Sequence, residues 1–254
     1  MFEQAAQSAR PSLSVVIPLY QEEAGVPALA RGLATWLQIE RGTRPVEFVL
    51  VDDGSTDRTH DLLRAGFAGW PAQILRHGRN LGLTAALATG FAAARSDLVG
   101  WLDSDLTYEP AVLSRLAEMC DGGADVACAS CYHPEGGVEG VPRWRLGLSR
   151  LASRGYRRLS GARIHTFTCM VRVYRREVLE RCRPVRGGFL GVTEVILQAL
   201  RAGYRVEEAP AVLRRRRLGQ SKMRTLRVGL RHLGLMRALW RGEVRAGSRG
   251  EAAP

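Results

Sequence analysis

Three short apolar runs constrain this chain more than any other feature. Residues 13–19 read Leu-Ser-Val-Val-Ile-Pro-Leu, residues 46–51 read Val-Glu-Phe-Val-Leu-Val, and residues 98–102 read Leu-Val-Gly-Trp-Leu. Runs this short, rich in β-branched side chains and lacking regular polar alternation, suit strands buried on both faces of a sheet. Helix-compatible stretches separate them. Val26–Ile39 ends at the break Arg41-Gly42-Thr43-Arg44-Pro45, and a helix capped by Thr56 or Asp57 runs to about Ala68. The alanine-rich Thr84–Ala94 follows a strand near Gln73–Arg76. Strand alternating with helix predicts a Rossmann-like, mostly parallel sheet with right-handed crossovers, flanked by helices in a single α/β domain.

The second half is less regular. Asp125–Tyr132 reads as a strand, so Cys128 and Cys131 are expected in the core rather than in a zinc or redox site, a second ligand pair being missing. His133–Pro142 reads as a mobile loop, Thr168–Tyr174 as a strand, and Thr193–Ala202 as a helix ended by Gly203. Trp144–Leu159 has helical spacing, with Trp144, Leu148, Leu151 and Leu159 on one face and Arg143, Arg150, Arg154 and Arg157 on another. From Met223 to Trp240, Leu226, Leu230, Leu233, Met236 and Trp240 form an apolar stripe beside Arg224, Arg227 and Arg231. Either helix is a core helix with a wet arginine face or lies in a membrane interface. The expected division is a domain over 1–222, a basic amphipathic helix over 223–241, and a disordered tail over 242–254.

Charge is distributed unevenly. Residues 1–140 carry 10 arginines against 18 acids, a net −8, while residues 141–254 carry 27 basic residues against 7 acids, a net +20. An acidic half suits a cation, and a basic half suits phosphate or an anionic surface. No leader or bilayer-spanning segment is visible, since the apolar stretch from Gly82 to Ala94 falls short of the roughly 20 residues a span needs. Five cysteines without framework spacing suit a reducing cytoplasm.

In open α/β sheets, ligands sit beyond the carboxyl ends of the strands. Three polar clusters fall there: Tyr20-Gln21-Glu22, Asp52-Asp53 and Asp103-Ser104-Asp105. Carboxylates two residues apart after a strand converge on a hard cation such as Mg²⁺ or Mn²⁺, which prefers oxygen ligands and shares substrate phosphates. Asp103 and Asp105 fit that role. Asp52 or Asp53 can accept from a base N–H or ribose hydroxyls, or can serve only as turn and helix cap.

These residues resemble a known family. Val15-Val16-Ile17-Pro18-Leu19-Tyr20-Gln21-Glu22-Glu23, Val51-Asp52-Asp53-Gly54-Ser55-Thr56-Asp57, Arg79-Asn80-Leu81-Gly82 and Asp103-Ser104-Asp105-Leu106 look like the family-two glycosyltransferases of GT-A fold. The second half is similar to their polyprenyl-phosphate branch, which includes dolichyl-phosphate mannosyltransferase. The matching pieces are 171–179, Glu194, Glu208-Ala209-Pro210 and Arg216-Arg217-Leu218-Gly219-Gln220-Ser221-Lys222. Thr166 and Met170 depart from the Asp and Gly usual there, and Gln21 replaces the usual Asn.

The resemblance implies an inverting transfer of a hexose from a nucleoside-diphosphate sugar, of GDP-mannose or UDP-glucose type, to a polyprenyl or dolichyl phosphate. Pro18, Tyr20, Glu22, Asp52, Asp53, Asn80 and Gly82 would hold the nucleotide sugar, and Asp103 and Asp105 the metal on its diphosphate. Arg172, Arg216, Ser221 and Lys222 would gather phosphate oxygens. Catalytic roles fall to Asp105, Arg172 and Glu194, the last as general base for a hydroxyl acceptor, an anionic lipid phosphate needing none. The implied location is the cytoplasmic face of a membrane, peripherally bound, with a membrane-protein partner conceivable. Two alternatives stand beside this reading: transfer to a polysaccharide or small-molecule hydroxyl, and a basic non-catalytic nucleic-acid binder. Few aromatics, an acidic first half and the lack of a recognition motif speak against nucleic acid.

Overall fold

The computed structural model describes residues 10–216 and 225–245. The apolar runs become the centre of a seven-stranded sheet. β1 (Leu13–Leu19) pairs in parallel with β2 (Val46–Asp52), which pairs with β3 (Ala72–Arg76), and on its other edge β1 pairs with β4 (Leu98–Trp101). β5 (Val126–Ser130), β7 (Arg172–Arg175) and β8 (Val206–Pro210) complete the order β3-β2-β1-β4-β7-β5-β8. β7 runs antiparallel to both β4 and β5, while β5 and β8 pair in parallel. Leu19 lies opposite Asp52 and Val16 opposite Trp101, so the three acidic clusters emerge side by side at one edge.

Alternating residues of β1 feed two cores, because successive side chains point to opposite faces. Leu13, Val15 and Ile17 pack with α1 (Val26–Glu40) and α4 (Val112–Asp121), together with α2 (Thr59–Gly66). Val16, with Val49 and Val51, packs beneath α3 (Leu83–Ala93) and α7 (Phe189–Arg201). α3 sits so low on the sheet that a Cβ on Gly90 would come within 2.2 Å of Val16 Cγ1. On the first face, the Trp36 indole N–H donates to Ser114 Oγ at 2.8 Å and ties α1 to α4.

The second half differs from the sequence reading in several places. The 133–142 segment is not a free loop: Gly137–Glu139 is β6, paired in parallel with β9 (Val212–Arg214). α4, α6 (Arg176–Arg181) and β8 are elements that the periodicity did not indicate. α5 (Arg143–Ser160) and α8 (Thr225–Trp240) form as expected and pack against each other. The Tyr156 hydroxyl donates to the His232 carbonyl at 3.2 Å, and Gly155 leaves room for Met236. His232, Leu235, Ala238 and Leu239 form the buried side of α8, whereas Leu230, Leu233 and Trp240 of the expected stripe are exposed. All five cysteines are buried and free, as the core-strand reading of Cys128 and Cys131 requires. Ser221, Lys222, Arg224 and most of the 242–254 tail lie outside the described residues.

The contact between Gly90 and Val16 is directly testable. Gly90→Ala overpacks a filled interface and should cost about 1–3 kcal/mol, read as a lower denaturant midpoint with an unchanged slope. A midpoint equal to that of the unmodified chain would show that α3 has room to rise.

Candidate active site

The loops after β1 and β2 are stitched together. Gln21 takes a left-handed backbone, with φ of 55°, and its N–H donates to Ser55 Oγ at 2.9 Å. Its side-chain oxygen accepts from the Thr56 and Asp57 N–H groups at 3.2 and 3.1 Å. The Glu22 N–H donates to Thr59 Oγ1 at 2.8 Å, which leaves the Glu22 carboxylate directed elsewhere.

Asp52 and Asp53 are both buried, and both brace loops. Asp52 Oδ1 accepts from the Ser55 N–H at 2.9 Å, and its Oδ2 lies 3.3 Å from Arg76 Nε and 3.5 Å from His60 Nδ1. Asp53 accepts from the Leu81 and Gly82 N–H groups at 2.9 and 2.8 Å and from His77 Nδ1 at 2.7 Å. The 77–82 loop thus folds over Gly54, where φ is 72° and a Cβ would stand 2.3 Å from the Arg79 backbone. A cleft of about 450 Å³ opens on the outer side, lined by Gly54, Ser55, Thr56, Arg76, His77 and Gly78. Arg76 and His77 were missed by sequence reasoning. Single polar residues at the end of an edge strand carry no pattern, and the nearby signal in the sequence was the Arg79-Asn80-Leu81-Gly82 motif. Asn80 is exposed beside this cleft.

The turn after β4 carries Asp103 and Asp105. Leu106 is left-handed, with φ of 53°, and its side chain packs where Gly32 of α1 leaves space. Asp105 Oδ1 accepts from the Thr107 N–H at 3.1 Å. Burial, followed by the neighbouring Asp105 charge, pushes the Asp103 carboxyl up to about 8, with Arg216 pulling the other way.

Arg216 arrives from the far end of the chain. β9 lies over the turn: the Arg214 N–H donates to the Thr107 carbonyl at 2.8 Å, and the Arg215 N–H to the Glu139 carbonyl at 2.9 Å. The Arg214 guanidinium is shared between Glu109 and Glu139. Arg216 then bonds Glu22 through Nη2 and sits with Nη1 3.8 Å from Asp105 Oδ2. The structure therefore brings Glu22, Asp103, Asp105 and Arg216 together.

Two other expected site residues occupy different surroundings. Arg172 is fully buried, and its guanidinium donates to the Val192 and Phe167 carbonyls at 2.7 Å each, so it joins the 167 loop to α7 within the core. Glu194 is also buried, accepting from the Val185 and Arg186 N–H groups at 2.8 Å and from the Arg186 guanidinium. Thr84 Oγ1 donates to the Gly188 carbonyl at 3.0 Å and fastens that loop to the first turn of α3.

Among the described residues no group of three or more His, Cys, Asp or Glu side chains is placed to hold a metal ion by itself. Asp103 and Asp105 offer oxygen donors whose mutual repulsion a cation relieves, which fits Mg²⁺ or Mn²⁺ completed by phosphate and water. An acidic edge at the carboxyl ends of a mostly parallel sheet, with an open cleft lined by Gly54, Arg76 and His77, is where α/β enzymes of this architecture hold their ligands.

A family model described as Glycosyl transferase family 2 matches residues 14–183. The chain is 34% identical over 218 residues to the polyprenol monophosphomannose synthase of Mycolicibacterium smegmatis, covering 82% of this chain and 80% of that protein. It is 39% identical over 171 residues to the undecaprenyl-phosphate 4-deoxy-4-formamido-L-arabinose transferase of Pseudomonas aeruginosa strain LESB58, covering 66% of this chain. It spans about half the length of that second relative, 48%. Glucosyl-3-phosphoglycerate synthase from Mycobacterium tuberculosis, crystallised with Mn²⁺, UDP-glucose and phosphoglyceric acid, superposes with a TM-score of 0.68. The identity is 18%, covering 91% of this chain and 80% of that one, and the likeness establishes a shared GT-A fold. The chain belongs to glycosyl transferase family 2.

The bracing role of Asp53 has a measurable consequence. Asp53→Ala strands two backbone N–H groups and a histidine, so amide exchange across 77–82 should accelerate about tenfold or more. Unchanged protection there would mean that the loop is held by other contacts.

Proposed function

We propose that this chain transfers a sugar from a nucleoside-diphosphate donor to a polyprenyl-type phosphate carrier at a membrane surface. The observation that carries the reading is the meeting of Glu22, Asp103, Asp105 and Arg216 beside the cleft at Arg76 and His77. The names of two relatives, which specify an undecaprenyl phosphate and a polyprenol product, support the acceptor class. In this reading the nucleoside lies along the cleft, and the diphosphate reaches toward Asp103 and Asp105. A bound Mg²⁺ or Mn²⁺ held by these two carboxylates supplies Lewis-acid stabilisation of the leaving diphosphate. Arg216 contributes a planar fork matched to phosphate oxygens. The engagement of Glu194 with the 185–186 loop argues for an acceptor that is already an anion, because a hydroxyl acceptor needs a free base.

Membrane access in this reading runs through α5 and α8. Leu151 and Leu159 flank Gly155 by one turn, as Leu233 and Trp240 flank Met236. Leu151, Leu233 and Trp240 are 67%, 61% and 75% exposed, so the two helices present one apolar strip beside the Gly155–Met236 contact. Exposed arginines, among them Arg150, Arg154, Arg157, Arg237 and Arg241, border it and suit anionic headgroups. No described helix is long and apolar enough to cross a membrane.

Two experiments test these statements. Thermal stabilisation by a panel of GDP- and UDP-sugars with Mn²⁺ should select a donor, and turnover with that donor and polyprenyl phosphate should fall at least about a hundredfold in Asp105→Ala or with chelator. No stabilisation by any donor, or turnover intact in Asp105→Ala, defeats the donor-site reading. Cosedimentation with vesicles containing anionic phospholipid should be lost in Leu233→Ser/Trp240→Ser. Retention of vesicle binding by that double variant would place the membrane contact elsewhere.

A further inference from the structure

We propose that Arg216 is a resident counter-ion of the cation site, one that leaves Asp105 and Glu22 when a divalent ion binds and then holds the donor diphosphate. The inference rests on the donor-site reading above and adds to it an order of events. Glu22, Asp103 and Asp105 bring three carboxylates to one edge of the sheet, and the Arg216 guanidinium engages two of them. It bonds Glu22, whose side chain is 9% exposed, and lies 3.8 Å from Asp105 Oδ2.

The position is imposed rather than incidental. The neighbouring backbone is fixed by the N–H bonds of Arg214 to Thr107 and of Arg215 to Glu139. Arg214 points its own guanidinium into Glu109 and Glu139 and is therefore committed to holding the strap. Arg216 follows two residues later and is delivered to the carboxylates that the strap crosses.

The same oxygen cannot serve both cations well. Asp105 Oδ1 accepts from the Thr107 N–H, and Oδ2 is the oxygen that Arg216 faces. A divalent ion held by Asp103 and Asp105 would bring a second positive charge beside the guanidinium in a partly desolvated site. The two positive groups repel, and an arginine cannot relieve the clash by losing its proton. The guanidinium therefore has to swing off the carboxylates. The diphosphate that accompanies the metal offers it new oxygens, and the planar fork suits them. Metal alone must displace Arg216 without replacing its partner. Metal with diphosphate supplies that partner, so the two ligands should favour each other's binding.

The test separates exchange from a merely structural arginine. Free Mn²⁺ is measured by its electron paramagnetic resonance signal during titration of Mn²⁺ alone into the whole chain, for the unmodified protein, Arg216→Gln, Arg216→Lys and Asp105→Asn. Exchange predicts that Arg216→Gln binds Mn²⁺ about tenfold more tightly than the unmodified chain while turning over donor more slowly. Arg216→Lys, which keeps the charge but loses the fork, should retain weak metal binding. An arginine needed only for folding gives weaker metal binding together with lower activity. Equal or weaker Mn²⁺ binding in an Arg216→Gln variant whose thermal melt is unchanged overturns the proposal. Mn²⁺ binding that is unaffected by Asp105→Asn overturns the metal-site reading itself, and the exchange falls with it.

Discussion

Parallel hydrogen bonding of β1 to β2 and β4 is the constraint on which the site depends. Parallel pairing sends three consecutive strand exits to one edge, and the register of Leu19 with Asp52 and of Val16 with Trp101 keeps them level. A one-residue slip would turn every side chain of a strand to the opposite face. Such a slip is resisted because the odd residues of β1 and Val16 belong to two separate cores. The tight seat of Gly90 on Val16 is part of the same discipline. The burial that stabilises the strands thus also aligns Glu22, Asp53 and Asp103.

Much of this was legible in the sequence. β1, β2 and β4 are buried on both faces, so their composition alone marked them, and each ended at the polar cluster that now lines the edge. β6 and β9 were not legible, since three-residue strands pairing across about 75 positions leave no periodic trace. Among the site residues, the acidic turn at Asp103 and Asp105 could be anticipated from motif order, whereas the pairing of Arg216 with Glu22 and Asp105 could not, since the resemblance implied only phosphate contacts for it. What Arg172 and Glu194 touch could not. An arginine that donates to two carbonyls and one that donates to a phosphate look identical in a sequence, and only burial separates them.

That distinction also revises the meaning of the charge imbalance. Arg172 is spent in the core on the Val192 and Phe167 carbonyls, and the partly exposed Arg175 and Arg176 bond the carbonyls of Ala124 and Cys120 and of Ser96 and Ala94. Arg44 pairs with Asp121 while its side chain is almost wholly covered. These arginines brace the fold, so the number of basic residues in the sequence overstates how many guanidinium groups are available to a ligand.

The contact between Glu22 and Arg216 joins residues 194 positions apart. A chain emerging from the ribosome can assemble β1 to β4 and their covering helices long before residue 216 exists, because that part is built from nearest-neighbour strand–helix units. It would then hold the acidic edge without the arginine that balances it. Closure of the β9 strap is thus a late event in the life of the nascent chain, and until it happens the acidic edge stands without its arginine.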